Sequence, residues 1–278
     1  MRRSLPAIRI VDPDSYAHDG APIVLDRTHP LHGEPLVPLD DLGIAYACHH
    51  ARSDGGNWPY HRAIAGAHED MWLRRSAAER LARVNARLEE FGAELLVLDA
   101  YRPLACQIGL WNYYVEDEAR RALPEAEEQA REAYALERVF DPRIFSRDDP
   151  LTWPAHVCGG SVDVTMRDRA SGNTLDMGVR FEDIGPSAAA DHFERGLAAG
   201  TIGHDDPRLL IRRLMHWAMM QEGFLNDPFA VWHFDWGNHI HARIHEKVWG
   251  GEPRAPWYGY IDPPAAWTST PIASRASA

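Results

Sequence analysis

Two histidines and an aspartate in this chain have the types and settings from which a metal site is made. His156 sits beside Gly159 and Gly160, Asp163 follows in an alternating stretch, and His233 lies in a second alternating stretch. Two imidazoles and a carboxylate hold Zn2+ while leaving a fourth position open to water, which is the requirement of hydrolytic zinc chemistry. The Gly-Gly pair lets the backbone fold sharply, so that His156 and Asp163 can meet one ion. Each residue also has an ordinary structural use: a strand histidine is commonly just hydrogen-bonded, and an aspartate commonly caps a turn or pairs with an arginine. Spacing alone is therefore a weak signal.

The elements around these residues give them positions. From Ser161 to Met166, Val162, Val164 and Met166 alternate with Ser161, Asp163 and Thr165, which predicts a half-buried strand presenting Asp163 away from its apolar face. Val231 to Trp236 alternates likewise, with Val231, His233 and Asp235 on one side. A helix is expected over 76–91: Ser76 and Glu79 read as a capping box, Leu81, Val84, Leu88 and Phe91 share a face, and Gly92 stops it. The apolar run Glu94 to Asp99 then reads as a buried strand that delivers Arg102 at its end. A second long helix fits 207–222, with Gly223 as its stop. Residues 104–139 suggest two further helices separated near Pro124, and 141–154 a loop. Residues 1–40 read as an arm laid over the surface, with one short strand at Ala7 to Val11. Residues 263–278 are mostly Pro, Ala, Ser and Thr and read as a loosely draped tail.

Four segments in order resemble the zinc D-alanyl-D-alanine dipeptidases, the family of the vancomycin-resistance dipeptidase. His156-Val-Cys-Gly-Gly-Ser-Val-Asp163 is similar to its His-x-x-Gly-x-x-x-Asp motif. Val97-Leu-Asp-Ala-Tyr-Arg-Pro103 resembles its strand ending in Asp-Gly-Tyr-Arg-Pro, and Met177-Gly-Val-Arg-Phe181 with Glu182 and Asp183 resembles its Met-Gly-x-x-Phe-Asp segment. Val231-Trp-His-Phe234 is similar to the segment that supplies the last zinc ligand. The resemblance, spanning roughly residues 40–262, implies Zn2+ on His156, Asp163 and His233, Arg102 in the active site, and Glu182 or Asp183 facing the amino end of a small dipeptide. It implies hydrolysis of a D,D-dipeptide of the D-Ala-D-Ala type. A fixed guanidinium suits such a site because it stabilises oxyanion charge as it develops.

The pattern breaks at one position. The family's general base is a glutamate three residues before the last histidine ligand, and Ala230 stands there. A positioned base contributes roughly 10²–10⁴-fold, so the chain is expected to be impaired as a peptidase. Asp235, His239 and His241 are candidate substitutes, although Asp235 is better placed to orient a ligand histidine. A non-hydrolytic, zinc-dependent binder of a peptide or amino-acid derivative is the alternative that Ala230 favours. A D,D-carboxypeptidase acting on cell-wall peptides would need export.

Composition narrows the partners. With a formal net charge of −12 and no dense Lys/Arg run, the chain is a poor match for nucleic acid or an anionic membrane. The first twenty residues hold no apolar stretch of signal-peptide length, and the three cysteines, Cys48, Cys106 and Cys158, have no CxxC spacing, so a reducing cytoplasm is the expected setting. The expected architecture is α+β: a small, mainly antiparallel sheet with packed helices and the zinc site at strand ends. Residues 1–40 form the arm, 41–262 the zinc D,D-dipeptidase-like domain, and 263–278 the tail.

Overall fold

A computed structural model describes residues 5–16 and 21–268. In chain order the strands are β1 (Leu36–Pro38), β2 (Trp72–Arg74), β3 (Ala93–Asp99), β4 (Ser161–Asp168), β5 (Leu225–Asn226) and β6 (His233–Asp235). The helices are α1 (Arg75–Leu88), α2 (Leu104–Asn112), α3 (Ala119–Ala122), α4 (Glu128–Leu136), α5 (His192–Ala198), α6 (Pro207–Gln221), α7 (His239–Lys247) and α8 (Ala265–Thr268). β1 and β2 form a small antiparallel pair, and the other four strands form one antiparallel sheet in the order β3-β4-β6-β5. The architecture is α+β, as the residue pattern implied.

The core lies between this sheet and helices α1 and α6. Leu81, Val84 and Leu88 of α1, Leu95 and Val97 of β3, Val162, Val164 and Met166 of β4, and Met215 and Met219 of α6 are all fully buried. Burying a side chain of this size is worth roughly 1.5–3 kcal/mol each, so this layer dominates the sheet's stability. Gly92 and Gly223 take positive φ where the helical segments before β3 and β5 end, as their stop positions predicted.

Several expectations change. β4, the strand between β3 and β6, is buried on both faces, not one: Ser161, Asp163 and Thr165 are buried as well as Val162, Val164 and Met166. The capping box does not form. Arg74 is the N-cap residue of α1 and makes no side-chain cap bond, while Ser76 Oγ donates instead to Glu34 Oε2 at 2.7 Å. Phe91 falls in a 3₁₀ turn after α1 and is 38% exposed, packing edge-on to Trp217 and not in the core. Residues 7–11 form no strand; they are held by side chains, with Ile8 N donating to Glu194 and Val11 N to Asp191. Of the tail, α8 is helical and Trp267 stacks on His68; residues 269–278 lie outside the described residues.

Candidate active site

The sheet register places four acidic or imidazole side chains in one row. A shift in β3 between Val97 and Asp99 brings Asp99 opposite Asp163. Asp163 pairs with His233 across β4 and β6. Residues directly opposite in antiparallel strands share a face. Past the end of β5, Asp227 N donates to His233 O at 2.9 Å, which continues the pairing Asn226↔Phe234 and puts Asp227 opposite His233. The row therefore reads Asp99, Asp163, His233, Asp227.

His156 joins this row from a short 3₁₀ turn, Ala155–Cys158, closed by Gly159 at φ +70°. Gly160 is required for a close approach: a Cβ there would lie 2.3 Å from the Trp236 carbonyl oxygen, and Trp236 N donates to Gly160 O at 2.8 Å. The turn thus docks on the end of β6. His156 Nδ1 lies 2.7 Å from Ala100 O. A carbonyl only accepts, so Nδ1 carries the proton and Nε2 is presented as a lone pair.

Three ligand atoms converge. His156 Nε2 is 3.2 Å from His233 Nδ1 and 3.5 Å from Asp163 Oδ2, and His233 Nδ1 is 2.8 Å from Asp163 Oδ1. Donors about 2.0–2.1 Å from a tetrahedral zinc lie about 3.3 Å apart, so these separations match a zinc set after small shifts. The residues predicted to hold a metal form a group that can hold one. Electrostatics favours the ligand form of Asp163, but in the absence of a metal it favours the protonated form of His233. Burial alone would raise the Asp163 carboxyl, but His156 and His233 hold it well below its ordinary range. Burial would lower His233, but Asp235 and Asp163 on its two sides hold it well above its usual value. A metal here takes the place of the charge that a proton on His233 otherwise supplies.

Arg102 is fixed beside this group. Its Nε donates to Asp99 Oδ2 at 2.7 Å and its Nη1 to Gln107 Oε1 at 2.9 Å, and Nη2 reaches within 3.9 Å of Asp163 Oδ2. Asp99 is itself buried, and Arg102, His50 and His156 around it hold its carboxyl far below the ordinary value. Glu182, at φ +68°, turns its Oε1 to 3.1 Å from His50 Nε2, while His50 Nδ1 is 3.6 Å from Asp99 Oδ2. Although burial opposes it, this pair of carboxylates raises the His50 imidazole to about 9. His50 was not legible as a site residue: it lies in a segment without periodicity. Asp183 accepts from Gly185 N at 3.0 Å.

Arg102, Glu182, Asp183, His156, Asp163 and His233 all line one cavity of about 580 Å³, so every site residue inferred from the sequence meets there. Ala230 lines it too, and so does Asp227, which burial raises above the usual carboxylate value. The suggested substitutes for a carboxylate at position 230 are not in the cavity wall. Asp235 is fully buried behind His233, and His239 and His241 sit in the first turn of α7, beyond β6.

Comparisons with known proteins identify the family and several similar chains. A family model described as D-Ala-D-Ala dipeptidase matches residues 65–249. The chain is 25% identical over 238 residues to a D-alanyl-D-alanine dipeptidase of Synechocystis sp., covering 83% of this chain and 93% of that protein. It is 27% identical over 200 residues to a D-alanyl-D-alanine dipeptidase of Escherichia coli, covering 72% and 80%. Among solved structures, a variant of a vancomycin-resistance D,D-pentapeptidase in complex with Zn(II) overlaps 69% of this chain and 88% of its own, at a TM-score of 0.37 and 13% identity. VanYB in complex with D-alanine-D-alanine overlaps 70% and 87%, also at 0.37, with 14% identity.

Proposed function

The chain belongs to the D-Ala-D-Ala dipeptidase family, and on that footing we propose that it is a zinc peptidase cleaving a small D,D-dipeptide of the D-Ala-D-Ala type into free amino acids. The observation that carries this reading is the convergence of His156 Nε2, Asp163 and His233 Nδ1 in a cavity that also presents Arg102. His156, Asp163 and His233 would hold a zinc ion, which would acidify a water and polarise the scissile carbonyl. The rest of the chemistry falls to the chain's own groups. Arg102, locked by Asp99 and Gln107, stabilises negative charge on the scissile oxygen without reorganising. Glu182 and Asp183 receive the substrate's free ammonium group, which selects a dipeptide over the interior of a long chain.

Ala230 accepts no proton, so turnover is expected to fall below that of a glutamate-bearing site by up to roughly 10²–10⁴-fold. The same residue supports a second reading, a zinc-dependent binder that does not cut. Zinc content beside that of His233→Ala, and release of D-alanine from D-Ala-D-Ala by the unmodified chain and Ala230→Glu, test both. About one zinc lost with His233 and hydrolysis in either protein support the peptidase; zinc without hydrolysis in both supports the binder. No bound zinc removes both readings. We assign residues 41–262 as the catalytic domain, with the tail outside it and the arm packed onto it through β1 and Tyr16. Cys48, Cys106 and Cys158 are all free thiols, which fits the proposed cytoplasmic setting. Among the described residues no helix is long and apolar enough to cross a membrane.

A further inference from the structure

We propose that Asp227 is the proton acceptor of this site, a role that rests on the peptidase reading. Hydrolysis of an amide by water requires a group that takes a proton from the attacking water and returns one to the departing nitrogen. The cavity offers few candidates. Asp163 belongs to the metal set, Glu182 faces His50 at 3.1 Å, and Glu137 is largely exposed and paired with Arg138. Asp183 is tied into its own turn through Gly185 N. Asp235 is out of reach behind the imidazole of His233.

Asp227 is tied to Phe229 N much as Asp183 is tied to Gly185 N, and it differs in where it stands. It lines the cavity together with Ala230 and stands directly opposite His233, on the same face of the sheet. Among the described residues its carboxylate has no ion pair. Its Oδ1 accepts from Phe229 N at 2.7 Å, and Oδ2 has only the Tyr16 hydroxyl, at 3.4 Å. A carboxylate has about four acceptor sites, so capacity remains on Oδ2 for a water proton. Tyr16 is itself aimed: Arg243 Nη2 donates to its oxygen at 3.2 Å, which turns the hydroxyl hydrogen toward Asp227. The side chain is thus held at its Oδ1 end and lightly engaged at the other.

The step balances as follows. The water oxygen bonds to the scissile carbonyl carbon as one of its protons passes to Asp227 Oδ2. The carbon–nitrogen bond then breaks, and that proton moves to the leaving nitrogen. Asp227 is restored, the second water proton is shed by the new carboxyl group, and two amino acids leave.

The test is kcat for D-Ala-D-Ala with the full zinc-loaded chain, Asp227→Asn, Ala230→Glu, and the double variant. Asparagine keeps an oxygen for Phe229 N; zinc content and thermal midpoint check the fold, and Asp227→Ser replaces it if the turn is disturbed. The proposal expects an active chain, a loss in kcat of at least about 100-fold in Asp227→Asn with KM changed only a few-fold, and recovery in the double variant, where the carboxylate returns at position 230. An active chain with Asp227→Asn equally active overturns the proposal and leaves the peptidase reading standing. An inactive chain rescued by Ala230→Glu alone does the same. Inactivity of all four proteins overturns the peptidase reading itself, and the role of Asp227 with it.

Discussion

Asp235 Oδ2 lies 3.0 Å from His233 Nε2, on the side of the imidazole away from Asp163. Ser161 Oγ and Asn238 Nδ2 both donate to the other oxygen of Asp235, at 2.6 and 2.7 Å. This contact on its Nε2 side leaves Nδ1 of His233 facing Asp163 and His156. Removing such an orienting partner typically costs 10–100-fold in metal affinity. Asp235→Ala should weaken zinc binding by about that factor in a chelator competition titration, and an unchanged affinity would refute the orienting role.

Arg102 should behave as a rigid fork and not as a point charge. Lysine cannot hold Asp99 and Gln107 at once while reaching toward the metal set. Arg102→Lys is expected to lower kcat by about 10²–10³-fold, the usual cost of losing one oxyanion donor, with zinc content unchanged. Steady-state kinetics beside metal analysis checks both halves.

Glu182 predicts a dependence on the substrate's amino group. Neutralising it as Glu182→Gln should reduce the preference for D-Ala-D-Ala over its N-acetylated form by about 30-fold, corresponding to roughly 2 kcal/mol for a shielded charge contact. A preference equal to that of the unmodified chain would assign ammonium recognition elsewhere, with Asp183 the next residue to test.

Gly160 carries a steric prediction. An alanine methyl would press on the backbone of Trp236, one residue after Asp235. Gly160→Ala should destabilise the fold by roughly 1–3 kcal/mol, visible in chemical denaturation, and should also loosen metal binding because the same contact docks the His156 turn.

The acid limb of stability has a named contributor far from the cavity. His216 on α6 is 6% exposed, and burial pushes its imidazole down to about 4. In the unfolded chain it titrates near 6.5. Above about pH 6.5 both states carry the neutral ring, so its full stabilising burial is retained. As pH falls from about 6.5 toward 4, the unfolded chain gains a proton that the folded chain refuses, and stability is lost at up to about 1.4 kcal/mol per pH unit. His216→Met should flatten the fall of the unfolding midpoint across that window; an identical slope would clear His216.

What could be read from the sequence followed physical range. Alternation and a Gly-Gly turn indicated where the side chains of His156, Asp163 and His233 point, but only the resemblance to the zinc dipeptidases singled them out as one set. Arg102 was legible as the residue closing a buried strand. The role of Asp227 was hidden, because Asn226-Asp227-Pro228 reads locally as a turn and only the β5–β6 register shows which face it occupies. His50 was hidden for a similar reason: its partners Asp99 and Glu182 come from distant segments. The failed capping box is the reverse case, a sound local signal overridden when Glu34 offered Ser76 a better partner from 42 positions away.

The row Asp99, Asp163, His233, Asp227 follows main-chain pairing between strands. Its middle pair, Asp163 and His233, sits on the two central strands, β4 and β6, whose amides generally exchange only on global unfolding. The entropy of gathering Asp163 and His233 is already spent when the sheet forms, and the docked turn adds His156. Loading and stripping the metal should therefore be a reversible exchange on a standing scaffold, with the emptied protein keeping its shape and refilling without passing through a folding transition.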